Sequence, residues 1–207
     1  CTPTEVMIAM EYGLEVVKFF PAAQYGGLNT IKALAAPFPS MKFMPTGGIN
    51  EKNMLEYLAF DKILCCGGSW MVNPDMIAAG DFAGIEKLVR EAVDTMLGLK
   101  FRHVGINPCG TTSTEAAEVL ANAFSFQANA TSKSIFSSTA LELMNEKGPG
   151  THGHIAISTN NVDRAVYHLG RRGVKFDMST ATYDDKGNMK FIYLADEING
   201  FAYHLVK

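Results

Sequence analysis

The chain has 207 residues, 47% of them hydrophobic and 19% charged, with a formal net charge of −3. That composition excludes an intrinsically disordered chain, which needs low hydrophobicity and high net charge, and a nucleic-acid binder working through bulk positive charge. No stretch approaches the roughly 20 apolar residues of a membrane span, and the four cysteines at 1, 65, 66 and 109 form no Cys-x-x-Cys clamp, so the expectation is a soluble protein in the reducing cytoplasm. The length fits one to two domains. The chain opens on Cys1 rather than Met, which suggests a start inside a longer protein.

Residues 1 to about 97 alternate helical and strand patterns. Thr2-Pro3-Thr4-Glu5 reads as a capping box, with Thr2 as N-cap and Glu5 reaching back, for a helix running to Tyr12 and stopped by Gly13. The apolar run 14–20 predicts a strand ended by Pro21, and 28–36 a helix that stops before Pro37. Residues 41–44 predict a second strand leading into Pro45-Thr46-Gly47-Gly48-Ile49. Asn50 then caps a predicted helix over 51–59, and 62–66 predict a third strand closed by Gly67-Gly68-Ser69. The helix over 81–97 carries Ile85, Leu88, Val89, Ala92, Val93 and Met96 at helical spacing. Short apolar strands alternating with helices define a parallel α/β layout.

Gly98 ends that helix and the pattern changes, which places a domain boundary between 1–97 and 98–207. A strand over 101–107, a helix over 114–124 and two or three strands up to Asn145 come next. After the turn Gly148-Pro149-Gly150 the order repeats: a strand over 153–158, a helix over 162–172, and strands around 174–178, 189–195 and 200–206. This is a βαβββ unit occurring twice, an α+β arrangement with an internal repeat of roughly 50 residues.

Lys18 sits at the far end of an apolar strand. A lysine facing an apolar pocket is disfavoured as the ammonium ion, and its free amine attacks carbonyls to form a Schiff base. Taken alone, such a residue is more often a strand-end or surface lysine. Two later loops change the balance. Thr46-Gly47-Gly48-Ile49 and Gly67-Gly68-Ser69 each follow a strand, and glycines let backbone N–H groups approach an anion closely. Loops after the last strands of a (β/α)8 barrel often hold a phosphate. Either loop alone serves equally as a tight strand–helix turn; together, downstream of a strand-end lysine, they favour a phosphorylated carbonyl substrate.

Thr2-Pro3-Thr4-Glu5, Lys18-Phe19-Phe20-Pro21-Ala22, Gly26-Gly27, Pro45-Thr46-Gly47-Gly48-Ile49 and Cys66-Gly67-Gly68-Ser69-Trp70 closely resemble the KDPG/KHG aldolase family. The resemblance covers residues 1–97 and implies the last strands only of a TIM (β/α)8 barrel and a class I aldolase that needs no cofactor. Lys18 would be the Schiff-base lysine; Thr46, Gly47, Gly48, Gly67, Gly68 and Ser69 would hold the substrate phosphate or carboxylate, with Phe20 and Pro21 lining the pocket. The implied reaction cleaves 2-dehydro-3-deoxy-6-phosphogluconate, 4-hydroxy-2-oxoglutarate or both to pyruvate and an aldehyde. The family's proton-shuttling glutamate and its carboxylate-binding arginine and threonine have no counterpart here, and neither Glu5 nor Glu15 matches them. The chain alone is therefore expected to be inactive as an aldolase, being a fragment of a longer protein or having its barrel completed by another chain.

All five histidines lie in the second half. His103 and His154 lie in the first strand of each βαβββ unit, Glu142 and His204 in the last. Glu142 stands between Leu141 and Leu143, so by alternation it points opposite to them and, if buried, needs a partner. A divalent cation would satisfy four such groups, with Zn, Ni, Fe and Mn all suited to this donor set. His152 and His168 are read as surface residues.

Arg102-His103-Val104-Gly105-Ile106, Leu141-Glu142-Leu143, Gly153-His154-Ile155-Ala156-Ile157 and Gly200-Phe201-Ala202-Tyr203-His204-Leu205 resemble the vicinal-oxygen-chelate superfamily, to which glyoxalase I belongs. The resemblance implies that His103, Glu142, His154 and His204 occupy the four metal-ligand places. His204 departs from the carboxylate usual there in glyoxalases, which removes a candidate base while keeping a ligand. Three functions follow: an aldolase with a fused accessory domain, a metal-dependent glyoxalase-like lyase, or a non-catalytic ligand-binding or oligomerisation module. The expected partners are a small 2-keto acid and further copies of the chain, as a trimer through the first part or a dimer through the second, with no nucleic acid and no membrane.

Overall fold

The computed structural model describes residues 2–207, which form two compact units, one ending at Met96 and the other beginning at Leu97. No helix among the described residues is long and apolar enough to cross a membrane.

The first unit is mixed α/β. Helix α1 (Pro3–Glu11) starts on the capping box: Glu5 N–H donates to Thr2 Oγ1 and the Glu5 carboxylate accepts from the Thr2 N–H at 2.8 Å. Strand β1 (Val16–Phe19) is followed by helix α2 (Gly27–Ala35), which turns Leu28, Ile31, Leu34 and Ala35 inward, a helical spacing of one apolar face. Strand β2 (Lys42–Pro45) pairs in parallel with β1, Val16 opposite Lys42 and Phe19 opposite Pro45. Phe19, Phe43, Ile31 and Met41 are fully buried and form the centre of this unit's core.

The predicted third strand over 62–66 is a correction. Only isolated parallel bridges form, Phe43 with Ile63 and Thr46 with Gly67. Phe43 N–H donates to Lys62 and Leu64 N–H to Phe43, but the next donor in the ladder would be residue 45, a proline without an N–H. Pairing resumes one residue late, with Gly67 N–H on the Pro45 carbonyl. Helix α3 (Met54–Leu58) also starts later than the expected 51, because Asn50 and Asn53 close a turn on each other: Asn50 N–H donates to Asn53 Oδ1, and Lys52 N–H to Asn50 Oδ1. The short helix α4 (Pro74–Ala78) was not foreseen, although Asn73-Pro74 is an N-cap followed by proline at the first helical position. Helix α5 (Phe82–Leu97) ends the unit.

The second unit is one eight-stranded sheet built from two copies of the same motif. Strand β3 (Lys100–Ile106), helix α6 (Ser113–Phe124), and strands β4 (Ala128–Ala130), β5 (Ser134–Ser137) and β6 (Leu141–Met144) form the first copy. Strand β7 (Gly153–Ser158), helix α7 (Val162–Arg171), and strands β8 (Phe176–Tyr183), β9 (Met189–Leu194) and β10 (Phe201–Val206) form the second. The sheet order is β4-β5-β6-β3-β7-β10-β9-β8. In each copy the first strand pairs in parallel with the last, β3 with β6 and β7 with β10, and the copies join through the antiparallel pair β3–β7. This order brings the four strands that carry His103, Glu142, His154 and His204 side by side at the centre. β8 runs well past its expected end at 178, because pairing with β9 resumes at Thr182 after an irregular stretch beyond Asp177.

Candidate functional site

In the first unit the alternation of β1 turns Phe19 into the core and leaves Val16 and Lys18 exposed. The apolar enclosure expected around Lys18 is thus not formed among the described residues, since β1 pairs with β2 alone and the lysine-bearing face lies open. Lys18 Nζ lies 5.3 Å from the centre of the Phe20 ring, itself 55% exposed.

The loops expected around Lys18 do converge at the carboxyl ends of the strands. Thr46 N–H donates to Phe19, Ala22 N–H to Thr46 and Ala23 N–H to Gly47, which ties the loop after β1 to the loop after β2. Gly47 has φ +93°, and a Cβ there would lie 3.1 Å from both the Pro21 Cα and the Phe20 ring. A Cβ on Gly67 would lie 3.0 Å from Thr46 Oγ1, so Phe20, Pro21, Thr46, Gly47 and Gly67 form one cluster. Gly48 packs on Ala23, whereas Gly68 lies beneath the Trp70 ring and Ser69 is exposed in the turn whose carbonyl accepts from Val72 N–H. Among the described residues the Thr46 hydroxyl is buried without a hydrogen-bond partner, and no acceptor meets the N–H groups of Gly47, Gly48, Gly68 or Ser69. Such a set of spare donors suits an anion.

In the second unit the four expected residues meet. His103 Nε2 and His154 Nε2 each lie 3.1 Å from Glu142 Oε2 and 3.2 Å from each other. The ligand atoms of His103, His154 and His204 all lie within 4.8 Å of one another. Bonds of about 2.1 Å to one ion place neighbouring donors roughly 3.0–3.4 Å apart, so the spacing of Glu142, His103 and His154 fits a single first-row cation. His154 and His204 are buried, and the Glu142 side chain is 14% exposed. The hydrogen bonds from His103 and His154, joined by that of Ser134, hold the Glu142 carboxyl well below the usual carboxylate range against the opposing effect of burial. Ser134 Oγ donates to Oε1 at 2.6 Å and so leaves Oε2 for the histidines.

Sequence reasoning missed the ring of neighbours. Phe136 stands edge-on to His103, Phe191 lies 4.4 Å from the His204 ring centre, and Tyr193 sits opposite His204 on β9. Burial, with the Glu142 charge, pushes the Tyr193 phenol up to about 12. Ser134 and the aromatics become visible only once strand register is known. Of the two remaining histidines, His152 is exposed, whereas His168 is partly buried, a correction to its surface reading, and that burial, with Arg171 and Arg172 nearby, lowers its pKa.

His204 carries a pH prediction. Burial, then the neighbouring His154 and His103, lowers its pKa from 6.5 to about 4. The unfolded chain protonates this histidine near 6.5 and the folded chain only near 4, so its stabilisation is full above 6.5 and is lost on acidification between those values. The unfolding free energy of the metal-free protein, from urea titrations, is expected to fall across that window by roughly 3 kcal/mol at most, and a His204→Asn variant is expected to flatten the fall.

Residues 1–88 match the family model of the KDPG and KHG aldolases. Over that segment the first unit is similar to this family. The KHG/KDPG aldolase of Escherichia coli (strain K12) is 50% identical over 93 residues, which are 45% of this chain and 44% of that protein. A solved KDPG aldolase from Legionella pneumophila, with pyruvate captured as a covalent carbinolamine intermediate, is 41% identical over 44% of each chain, with a TM-score of 0.43. A methylmalonyl-CoA epimerase structure is 18% identical over 52% of this chain and 92% of its own, with a TM-score of 0.36. The chain spans less than half the length of the curated relatives it matches.

Proposed function

We propose that residues 1–97 are the last strands of a TIM-barrel class I aldolase acting on a 2-keto-3-deoxy acid, with Lys18 as its Schiff-base lysine. The observation that carries this is the 50% identity over 93 residues to a KHG/KDPG aldolase, together with the convergence of Phe20, Pro21, Thr46, Gly47 and Gly67 at the strand ends beside Lys18. The Lys18 amine adds to the keto carbon and loses water to give a protonated imine. As a base takes the proton of the substrate's 4-hydroxyl, the carbon–carbon bond breaks into that imine and an aldehyde leaves. The enamine of pyruvate left on Lys18 is protonated at carbon and hydrolysed by water to pyruvate and the free amine. The spare N–H groups of Gly47, Gly48, Gly68 and Ser69 hold the substrate's phosphate or carboxylate. Lys18 lies open, and the chain has no counterpart of the family's proton-shuttling glutamate. The 207-residue chain by itself is therefore expected to show negligible retro-aldol turnover, measured as pyruvate release from 2-dehydro-3-deoxy-6-phosphogluconate and from 4-hydroxy-2-oxoglutarate. Robust turnover by this chain overturns the proposal that its barrel is incomplete.

A second reading, of residues 98–207 as a vicinal-oxygen-chelate domain with a divalent metal, is favoured by the triangle of Glu142 Oε2, His103 Nε2 and His154 Nε2 with edges of 3.1–3.2 Å. His103, Glu142, His154 and His204 would hold the ion, which when bound supplies Lewis-acid polarisation of a substrate oxygen. Ser134 fixes the carboxylate, and Phe136, Phe191 and Tyr193 shield the site from water. With His204 in place of a carboxylate, the domain serves as an accessory ligand-binding or oligomerisation module of the aldolase in the cytoplasm, rather than as a glyoxalase. Removal of the ion by a chelator tests it, with retention of self-association, as a trimer or dimer, as the second measurement.

A further inference from the structure

His154 and Gly105 face each other across the antiparallel pair β7–β3, and Gly105 in turn pairs with Glu142 on β6. The three residues thus form one row across three adjacent strands. His154 and Glu142 are separated by two strand spacings, about 9.5 Å, with β3 between them. Their side chains nevertheless meet, His154 Nε2 to Glu142 Oε2 at 3.1 Å, so both lie across the middle strand above residue 105. A Cβ built on Gly105 would stand 2.0 Å from His154 Cε1 and 2.4 Å from each of its ring nitrogens. The imidazole occupies the volume in which any side chain at 105 would lie.

The repeat supplies an internal comparison. His103 faces Ala156 just as His154 faces Gly105, and each small residue follows its own strand's histidine by two positions. Position 156 carries a Cβ opposite His103, so a small residue suffices there, whereas position 105 admits none. Gly105 does not belong to the glycines at positive φ, so its backbone accepts alanine, and the requirement is one of volume. An interior strand glycine otherwise weakens a sheet, and close approach of another group is the usual compensation.

Resting on the metal reading above, we propose that Gly105 is a positioning residue of the metal centre: its missing side chain is the slot that lays His154 across β3 onto Glu142.

Gly105→Ala in the full chain is expected to lower Co2+ affinity about tenfold or more, the cost typical of a lost orienting group, and to change the visible spectrum of the bound Co2+. In the metal-free protein the ring signals of His154, which report its contact with Glu142, are expected to shift. The effect must depend on the ring: in a His154→Ala background, Gly105→Ala is expected to cost nothing in unfolding midpoint, even if the single variant folds poorly. Wild-type Co2+ affinity with unchanged His154 signals in Gly105→Ala overturns the proposal, as does an equal loss of stability with and without His154. A wild-type chain that binds no Co2+ sinks the metal reading instead, and the His154 signals and the stability comparison then still decide the role of Gly105.

Discussion

Lys18→Met is expected to abolish the labelling of this chain by pyruvate and borohydride. Reduction of an imine fixes pyruvate covalently to the amine that formed it, and methionine has a similar reach without the nitrogen. The chain has 13 lysines, most of them exposed, so the informative quantity is where the label lands. Lys18 differs from the others in its neighbours. Loops carrying spare N–H groups lie at its end of the sheet, and an oxo acid held there by its carboxylate is presented to the amine at high effective concentration. Peptide mapping is therefore expected to find the adduct at Lys18, with inorganic phosphate competing. In a complete aldolase carrying this segment, the same substitution is expected to lower turnover by about 10³-fold or more, the scale of removing a covalent nucleophile. Label spread evenly over the lysines would sink the assignment of Lys18.

What the sequence made legible was whatever depends on near neighbours. The Thr2–Glu5 cap, the apolar face of α2 and the two βαβββ copies follow from local spacing, and the structure carries all three. The parity of Glu142 between two leucines likewise turns it to the opposite face from them, while its meeting with the histidines comes from the strand order β6-β3-β7. Features that depend on a strand's partner were not legible. Residues 62–66 are apolar enough for a strand, but their ladder breaks because the opposing residue is Pro45. The exposure of Lys18 has the same origin, because alternation fixes which way its side chain points but not whether anything covers that face. Gly105 left a readable signal, a glycine inside a strand, whose cause lies 49 residues further on at His154.

Divalent cations are expected to stabilise the full chain, and His154→Ala to remove that stabilisation. An ion that binds only the folded state at about 100 times its dissociation constant adds roughly 2.7 kcal/mol, a rise of about 10 °C for a unit of this size. Excess chelator should reverse it. His154 is the residue to remove because its Nε2 belongs to two of the three close pairs, 3.1 Å from Glu142 and 3.2 Å from His103, and it is more deeply buried than His103. Its loss is expected to weaken Co2+ or Zn2+ binding at least about 100-fold, since even groups behind the ligands cost up to that much. Without metal the same variant is expected to lose far less, because Glu142 keeps its hydrogen bonds to His103 and Ser134 and is not left as an unpaired buried charge. The contrast between the two conditions separates a metal centre from a closed hydrogen-bond cluster. If the four residues serve only as a buried polar network, ions leave the wild-type midpoint unchanged and His154→Ala costs the same with and without them.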